Sequence, residues 1–395
     1  MRDALLLFFS FLIALVLVKV AMSFGWVTGR WPPRCVLLIC VILIVPVFFI
    51  RSRKNNGVIR KRSFLRVKSK FIGVLSCWVC MLVYAAMLSR TGWGVTDEFV
   101  YDFFLFLPLL LMLLAVGLYW SDKFVSPVDD ECLRFGDFLL RKAKWDWGGY
   151  KRFLLSWLVK AFFIPVMYTG FMESVSFLLA TSPQLEPLSV LSGLFAFGLA
   201  FDLLIATLGY LLASPFLGTS VLGVDDTWEG WLVCVVCYPP LVVIFQMVRQ
   251  QADNVLWTEW LSPESLVFWV WAFIIAISWG MYWVSNACFG LRFSNLCWRG
   301  LVDVGPYSLM KHPAYFFKNM YWWFNTVPFI GVGFGLDMLR NFLALSFVSL
   351  VYYLRAKTEE RHLLKYPEYV GYYERMARDG LLARLRRVGL RFVSA

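Results

Sequence analysis

The chain has little charge. Only 16% of its 395 residues are Asp, Glu, Lys or Arg, against roughly 25% in soluble proteins. With 60% apolar residues, 37 Phe and 19 Trp, too little polar surface remains to coat a water-soluble fold of this size, so a set of two or three soluble domains is excluded. Histidine occurs twice, at His312 and His362. Imidazole chemistry is therefore confined to the last quarter. No internal repeat and no Gly/Ser- or Pro-rich linker divides the chain, and nothing in its basic segments favours nucleic acid as a partner. Nine cysteines include two C-x-x-C pairs, Cys77/Cys80 and Cys234/Cys237. Both lie inside apolar runs, without the polar setting and further ligands of a zinc or redox site. They read as buried thiols, and no metal is expected.

Long hydrocarbon runs are what the chain has instead. They fall near residues 4–22, 34–50, 71–89, 100–120, 153–180, 188–213, 230–247, 265–289, 313–334 and 338–354. Each is long enough to cross a hydrocarbon core of about 30 Å, and lipid leaves the backbone no partner except its own helix. The fold class expected is all-α, a polytopic integral membrane protein of about ten transmembrane helices. The first run follows Arg2-Asp3 and carries Lys19 with no small-residue cleavage site after it, so it is expected to be a retained span rather than a signal peptide. Pro239-Pro240 should break or bend the seventh run.

The formal charge of +12 bears first on orientation. Segment 51–70 carries Lys and Arg but no acid, which places it in the cytoplasm. Alternating crossings then put both termini there, together with the loops near 121–152 and 290–312. Loop 214–229 is the exception, with Asp225, Asp226 and Glu229 but no base. Segment 51–70 reads as a topology anchor or as a patch for a bilayer with anionic headgroups. Four charges fall within apolar runs: Lys160, Glu173, Asp202 and Lys318. Each needs a partner or a cavity; Lys160 and Lys318 lie close enough to their cytoplasmic ends to snorkel, while Glu173 and Asp202 line a substrate cavity or are paired structurally.

Special residues crowd together after Gly290, which suggests two parts: an N-terminal bundle over 1–285 and a C-terminal region over 286–395. One stretch runs from Asn295 and Arg299 through Gly305-Pro306-Tyr307 to Lys311-His312-Pro313-Ala314-Tyr315. Pro313 suits a helix's first turn, which sets His312 at its cap, and the free N–H groups there favour an anion. The second stretch, Arg355-x-x-x-Glu359-Glu360-x-x-Leu363, leaves the last run on the same side. A short outer connection makes the two runs neighbours, so Lys311/His312 and Glu359/Glu360 can face each other across one cleft with Tyr307, Tyr315 and Tyr369. Cations, carboxylates and aromatic faces together suit a zwitterion with an added positive centre. A helix over 381–392, with Leu381, Leu385, Val388 and Phe392 on one face and Arg384, Arg387 and Arg391 off it, reads as an interfacial lid or anchor.

These two stretches resemble the isoprenylcysteine carboxyl methyltransferase family and its phospholipid methyltransferase relatives, over about residues 280–375. Residues 305–315 are similar to that family's G-x-Y-x-x-x-R-H-P-x-Y signature, and residues 355–363 to its R-x-x-x-E-E-x-x-L signature. The departures are Lys311 for Arg, which keeps the charge without the bidentate fork, Phe317 at a place often held by Gly, and Tyr366-Pro367 near the usual Phe-Gly. The resemblance implies an S-adenosylmethionine-dependent methyltransferase. Its cofactor site would include Tyr307, Lys311, His312, Pro313, Tyr315, Glu359 and Glu360, with Asn295 and Arg299 as weaker additions. Arg355 would orient the reacting pair and His312 is the candidate base. The acceptor would be a membrane lipid or a lipidated molecule presenting a carboxylate, amine or thiol. A bacterial inner membrane is the expected location, with the endoplasmic reticulum as alternative and the cofactor site on the cytoplasmic face. Two other readings stand beside it: an NADPH-dependent membrane reductase of the sterol reductase type, and a transporter or scaffold that keeps a methyltransferase-like region.

Overall fold

The computed structural model describes residues 2–53, 63–92, 94–122, 130–181, 186–252, 255–327, 335–381, 383–385 and 387. The described chain is helical almost throughout. In order, the helices are α1 (Arg2–Ser23), α2 (Trp31–Arg53), α3 (Phe64–Ser89), α4 (Asp97–Leu105), α5 (Leu107–Ser121), α6 (Glu131–Leu139), α7 (Trp147–Ala180), α8 (Pro187–Leu211), α9 (Trp228–Val235), α10 (Val242–Arg249), α11 (Trp257–Trp260), α12 (Leu266–Ala287), α13 (Pro313–Asn325), α14 (Leu336–Leu363) and α15 (Pro367–Asp379). Two short strands, β1 (Gly223–Val224) and β2 (Cys297–Trp298), pair antiparallel.

Among the described residues, six helices are long and apolar enough to cross a membrane: α1, α2, α3, α7, α8 and α12. A bent pair, α4 with α5, brings the count to seven if it acts as one span; its halves meet at 75°. The ten expected runs do not all become unbroken helices, and the reasons are local. Pro108 has no N–H to offer Phe104 and its ring crowds that carbonyl, so run 100–120 breaks near Phe106. Pro239-Pro240 splits run 230–247 into α9 and α10. Run 313–334 yields a 13-residue α13, with 328–334 outside the described residues. Helix α14 has 28 residues, but Arg340, Asn341 and Tyr352-Tyr353 dilute its apolar stretch.

The 34-residue α7 is the central post, about 51 Å long at 1.5 Å per residue. On one side it packs with α1, α2 and α8 around Phe11, Ile44, Phe171 and Leu204. Phe11 sits 5.4 Å from Phe197 and 5.9 Å from Phe201, ring centre to ring centre. On the other side, Met81, Phe103, Phe163 and Tyr210 join α3, α4, α7 and α8. Small residues set the closest approaches. A Cβ on Gly198 of α8 would lie 1.5 Å from the Trp283 ring of α12, and one on Gly136 of α6 would lie 1.9 Å from the Ser69 carbonyl oxygen of α3.

The charges within apolar runs have distinct fates. Asp202 accepts hydrogen bonds from Tyr282 Oη at 2.8 Å and Asn286 Nδ2 at 2.6 Å. Lys318 lies 4.9 Å from the Tyr282 ring. Lys19 donates to the Leu179 carbonyl. Glu173 is exposed on the outside of α7. Lys160 faces a cavity, described below. Within segment 51–70, residues 54–62 lie outside the described residues; Lys70 is buried between Asp122 and Asp130, at 2.8 and 2.9 Å, and Arg66 reaches Asp122 at 2.9 Å.

The strand pair positions the site. It ties loop 214–229 to the segment before α13, and Asp225 N donates to the Leu296 carbonyl at 2.7 Å. It also explains the acidic exception among the basic loops: Asp226 pairs with Lys151 and Lys365, and Glu229 with Arg361. Trp298 of β2 stacks on Tyr366 at 4.9 Å, and with Leu363, Tyr369, Tyr372 and Met376 it docks α15 against the end of α14.

Candidate functional site

His312 is the N-cap of α13, with Pro313 in the first turn. Its side chain reaches across to the last turns of α14. His312 Nε2 lies 3.2 Å from Glu360 Oε1, and Lys311 Nζ lies 2.5 Å from the same oxygen. Lys357 Nζ, one turn back on α14, meets Glu360 Oε2 at 3.1 Å. Burial would raise the Glu360 carboxyl, but His312, Lys311 and Lys357 outweigh it and hold it at about 2. Glu360 is thus a fixed anion under three donors. Lys311 also lies 3.8 Å over the Tyr373 ring, which steers its flexible stem.

The neighbouring carboxylate is less occupied. Glu359 Oε2 accepts from Tyr315 Oη at 3.0 Å and sits 4.0 Å from His312 Nδ1. Its side chain is 38% exposed, against 7% for Glu360, so Glu359 is the carboxylate a ligand can reach. Tyr315 stacks on His312 at 5.8 Å and on Tyr352 at 6.1 Å.

Behind Glu359 lies a small cavity lined by Asp225, Cys234, Asn295, Tyr315, Arg355 and His362, among others. The buried Arg355 guanidinium is sandwiched by aromatics, 5.4 Å from the Tyr315 ring and 5.8 Å from Tyr238. One nitrogen, Nη2, donates to Asn295 Oδ1 at 3.1 Å and touches Cys234 Sγ at 3.8 Å. Asn295 is itself oriented: its backbone N–H and Nδ2 both donate to Tyr210 Oη, at 2.8 and 3.1 Å. Among the described residues, neither ring nitrogen of the buried His362 is hydrogen-bonded, and Ser294 Oγ is likewise buried without a partner. Burial lowers the His362 pKa, with Asp225 opposing. Buried polar atoms are ordinarily satisfied, and both residues line the cavity, where water or a polar ligand would satisfy them.

The other candidates hold the frame. Tyr307 is buried; its ring rests 5.1 Å from Phe289 and its carbonyl accepts from Tyr372 Oη at 2.8 Å. Arg299 stands apart from the cavity. It spends its guanidinium on backbone carbonyls, of Thr219 at 3.0 Å, Gly209 at 2.8 Å and Phe293 at 2.9 Å, and so closes the end of α8 as a clamp. Phe317 is not among the cavity-lining residues. The cationic helix over 381–392 falls mostly outside the described residues; its first residue, Leu381, donates its N–H to the Leu309 carbonyl at 2.7 Å. Asp225, Cys234 and Tyr238 escape motif reading because they come from segments far from both motifs, whereas Ser294 adjoins Asn295 and His362 fills an unspecified position of the second motif.

The donor set matches the amino-acid end of S-adenosylmethionine: Glu359 for an ammonium, Arg355 for a carboxylate, and tyrosine faces for a sulfonium. Space is tighter. The internal cavity is about 50 Å³ and the cleft about 450 Å³ with its open mouth included. One water occupies about 30 Å³. The charges, rather than the enclosed volume, are what suit the amino-acid end. No known protein family, curated protein or solved structure matches the chain.

Proposed function

We propose that the protein is an integral membrane methyltransferase that uses S-adenosylmethionine and acts on a lipid-soluble or membrane-embedded acceptor. The observation that carries this reading is the meeting of Lys311, His312 and Tyr315 with Arg355, Glu359 and Glu360 at the paired ends of α13 and α14. The two motifs resemble the isoprenylcysteine carboxyl methyltransferase signatures, and the charge pattern suits the cofactor's amino-acid group. The cofactor supplies an electrophilic methyl group when bound. The protein's own residues do the positioning. Glu359 and Arg355 hold opposite charges of one ligand, Asn295 fixes the Arg355 fork, and Glu360 locks Lys311 and His312 so that the α13 cap keeps its place. His312 bonded to a permanent carboxylate is well placed to take a proton from an amine acceptor.

On this reading about ten runs enter the membrane, both termini and the site lie on the cytoplasmic face, and the basic segment 51–70 meets anionic headgroups. Residues 1–285 form the bundle that accompanies a catalytic region over 286–395, with α9 lending Cys234 to the site wall. A bacterial inner membrane fits best, with the endoplasmic reticulum as the alternative.

The test is to supply methyl-labelled S-adenosylmethionine to membranes containing the protein and to extract the lipids. Label should enter a lipid fraction with the wild type and be lost with Arg355→Ala. Calorimetry of the purified protein should show binding of S-adenosylhomocysteine and none of NADPH. NADPH binding without S-adenosylhomocysteine binding would turn the reading to a reductase.

A further inference from the structure

A second, much larger cavity lies between α2, α3, α5 and α7, with a volume of about 1120 Å³. Pockets for drug-sized ligands run to about 1,000 Å³, so this one has room for a long-chain molecule. Its lining along α7 extends from Arg152 to Tyr168, about 24 Å at 1.5 Å per residue. Half of a 30 Å hydrocarbon core is about 15 Å, the depth that lipid chains of one leaflet occupy.

Toward the start of α7 stand Lys70, Asp130, Arg152, Ser156, Ser214 and Ser220; the middle of the wall is Val74, Met81, Phe103, Leu110 and Ile164, and polar groups return at the far end with Arg34, Asp102 and Tyr168. Most bordering cations are already matched. Arg34 pairs with Glu98 and Asp102 at 2.6 and 2.7 Å. Lys70 pairs with Asp122 and Asp130, and Arg152 meets Glu131 at 3.0 Å.

Lys160 is the exception. It lines the cavity where the polar part gives way to the apolar part. Among the described residues its ammonium makes no hydrogen bond and meets no carboxylate, and the Trp157 ring lies 4.7 Å away. Retaining a cation in an apolar setting is costly unless an anion joins it. Lys160 lies seven residues, about 10 Å, into the apolar run 153–180, a depth at which lipid headgroups give way to chains.

The geometry points to a binding site for an anionic lipid: hydrocarbon chain in the apolar part, headgroup oxyanion on Lys160. The shared chemistry is a single carboxylate or phosphate on a long chain. Binding needs neither the cofactor nor methyl transfer, so the site stands or falls separately from the proposed activity. One contact joins it to the smaller cavity: Tyr210 lines the large one, and its hydroxyl holds Asn295, which lines the other.

The test uses full-length protein, delipidated in detergent and examined by native mass spectrometry. The probes are phosphatidylglycerol, phosphatidylcholine with the same chains, and oleate. Wild type should retain phosphatidylglycerol or oleate over phosphatidylcholine by about tenfold or more. Retention of the first alone marks a phospholipid source; oleate alone marks a free fatty acid. Lys160→Met should lose the preference and Lys160→Arg should keep it. Val74→Phe, which fills the apolar part, should reduce all retention while S-adenosylhomocysteine binding is unchanged. Lys160→Gln repeats the charge removal should Lys160→Met not fold. Equal retention of phosphatidylcholine by wild type, or a wild-type preference in both neutral variants, would overturn the assignment.

Discussion

Lys311 and His312 of one helix cap converge on a single oxygen of Glu360, at 2.5 and 3.2 Å, while Lys357 takes the other at 3.1 Å. One carboxylate thereby fixes the entry to α13 against the exit from α14. Removing it leaves three donors facing each other.

Glu360→Ala should accordingly weaken S-adenosylhomocysteine binding by more than tenfold and cost about 1–3 kcal/mol of stability, the usual penalty for stranding part-buried polar groups. The protein should still fold. His312→Ala should weaken binding by a similar factor. Calorimetry and thermal melts on the purified variants check both effects; unchanged binding in both would defeat the site assignment.

The Glu360 carboxyl sits at about 2 in the folded protein against an ordinary value of 4.5. A folded pKa below the unfolded one stabilises above the unfolded value and loses that contribution as pH falls. The contribution should be whole above about pH 4.5 and fade toward pH 2. Melting curves across this range should show a smaller acid-induced loss in Glu360→Gln than in wild type.

His362 gives a second pH window. Burial holds its pKa below the usual 6.5, so the unfolded chain binds a proton that the folded site resists. Stability should be level above about pH 6.5 and decline below it. In His362→Gln the decline just below pH 6.5 should flatten. An unchanged slope would show that the ring is solvated or charged in the folded protein.

Arg355→Lys tests the fork. Lysine keeps the charge but cannot present the planar donors that Asn295 and the two tyrosines hold in place. Binding of S-adenosylhomocysteine should fall about tenfold or more, with melting temperature little changed. Asn295→Ala should reproduce part of that loss, because it frees the same guanidinium.

Gly198→Leu should destabilise the bundle by about 1–3 kcal/mol or more, since even a Cβ there would meet Trp283 at 1.5 Å. The double variant Gly198→Leu/Trp283→Ala should recover part of the loss. Denaturation in mild detergent reads both, and no recovery would place the strain elsewhere.

Much of the helical character is legible without coordinates. Runs of apolar residues long enough to span lipid can satisfy their backbone only as helices, and Pro239-Pro240 announces the break it makes. Pro313 likewise fixes the start of α13 with His312 at its cap. These are properties of neighbours along the chain. Other outcomes depend on contacts that sequence distance conceals. Arg299 becomes a carbonyl clamp rather than a pocket residue, and Asp202 is satisfied by Tyr282 and Asn286 of a neighbouring helix.

The site shows the same division. The two motifs name Lys311, His312, Tyr315, Arg355, Glu359 and Glu360, because local spacing puts them at helix ends. Which carboxylate is buried under cations and which stays open, and that Asp225, Cys234 and His362 complete the wall, follow from the pairing of β1 with β2 and the packing of α9 on α14. Composition and periodicity dictate where a helix can form. The partner each side chain meets is fixed only when segments far apart in the chain are brought together, because charge pairing and burial depend on distance in space.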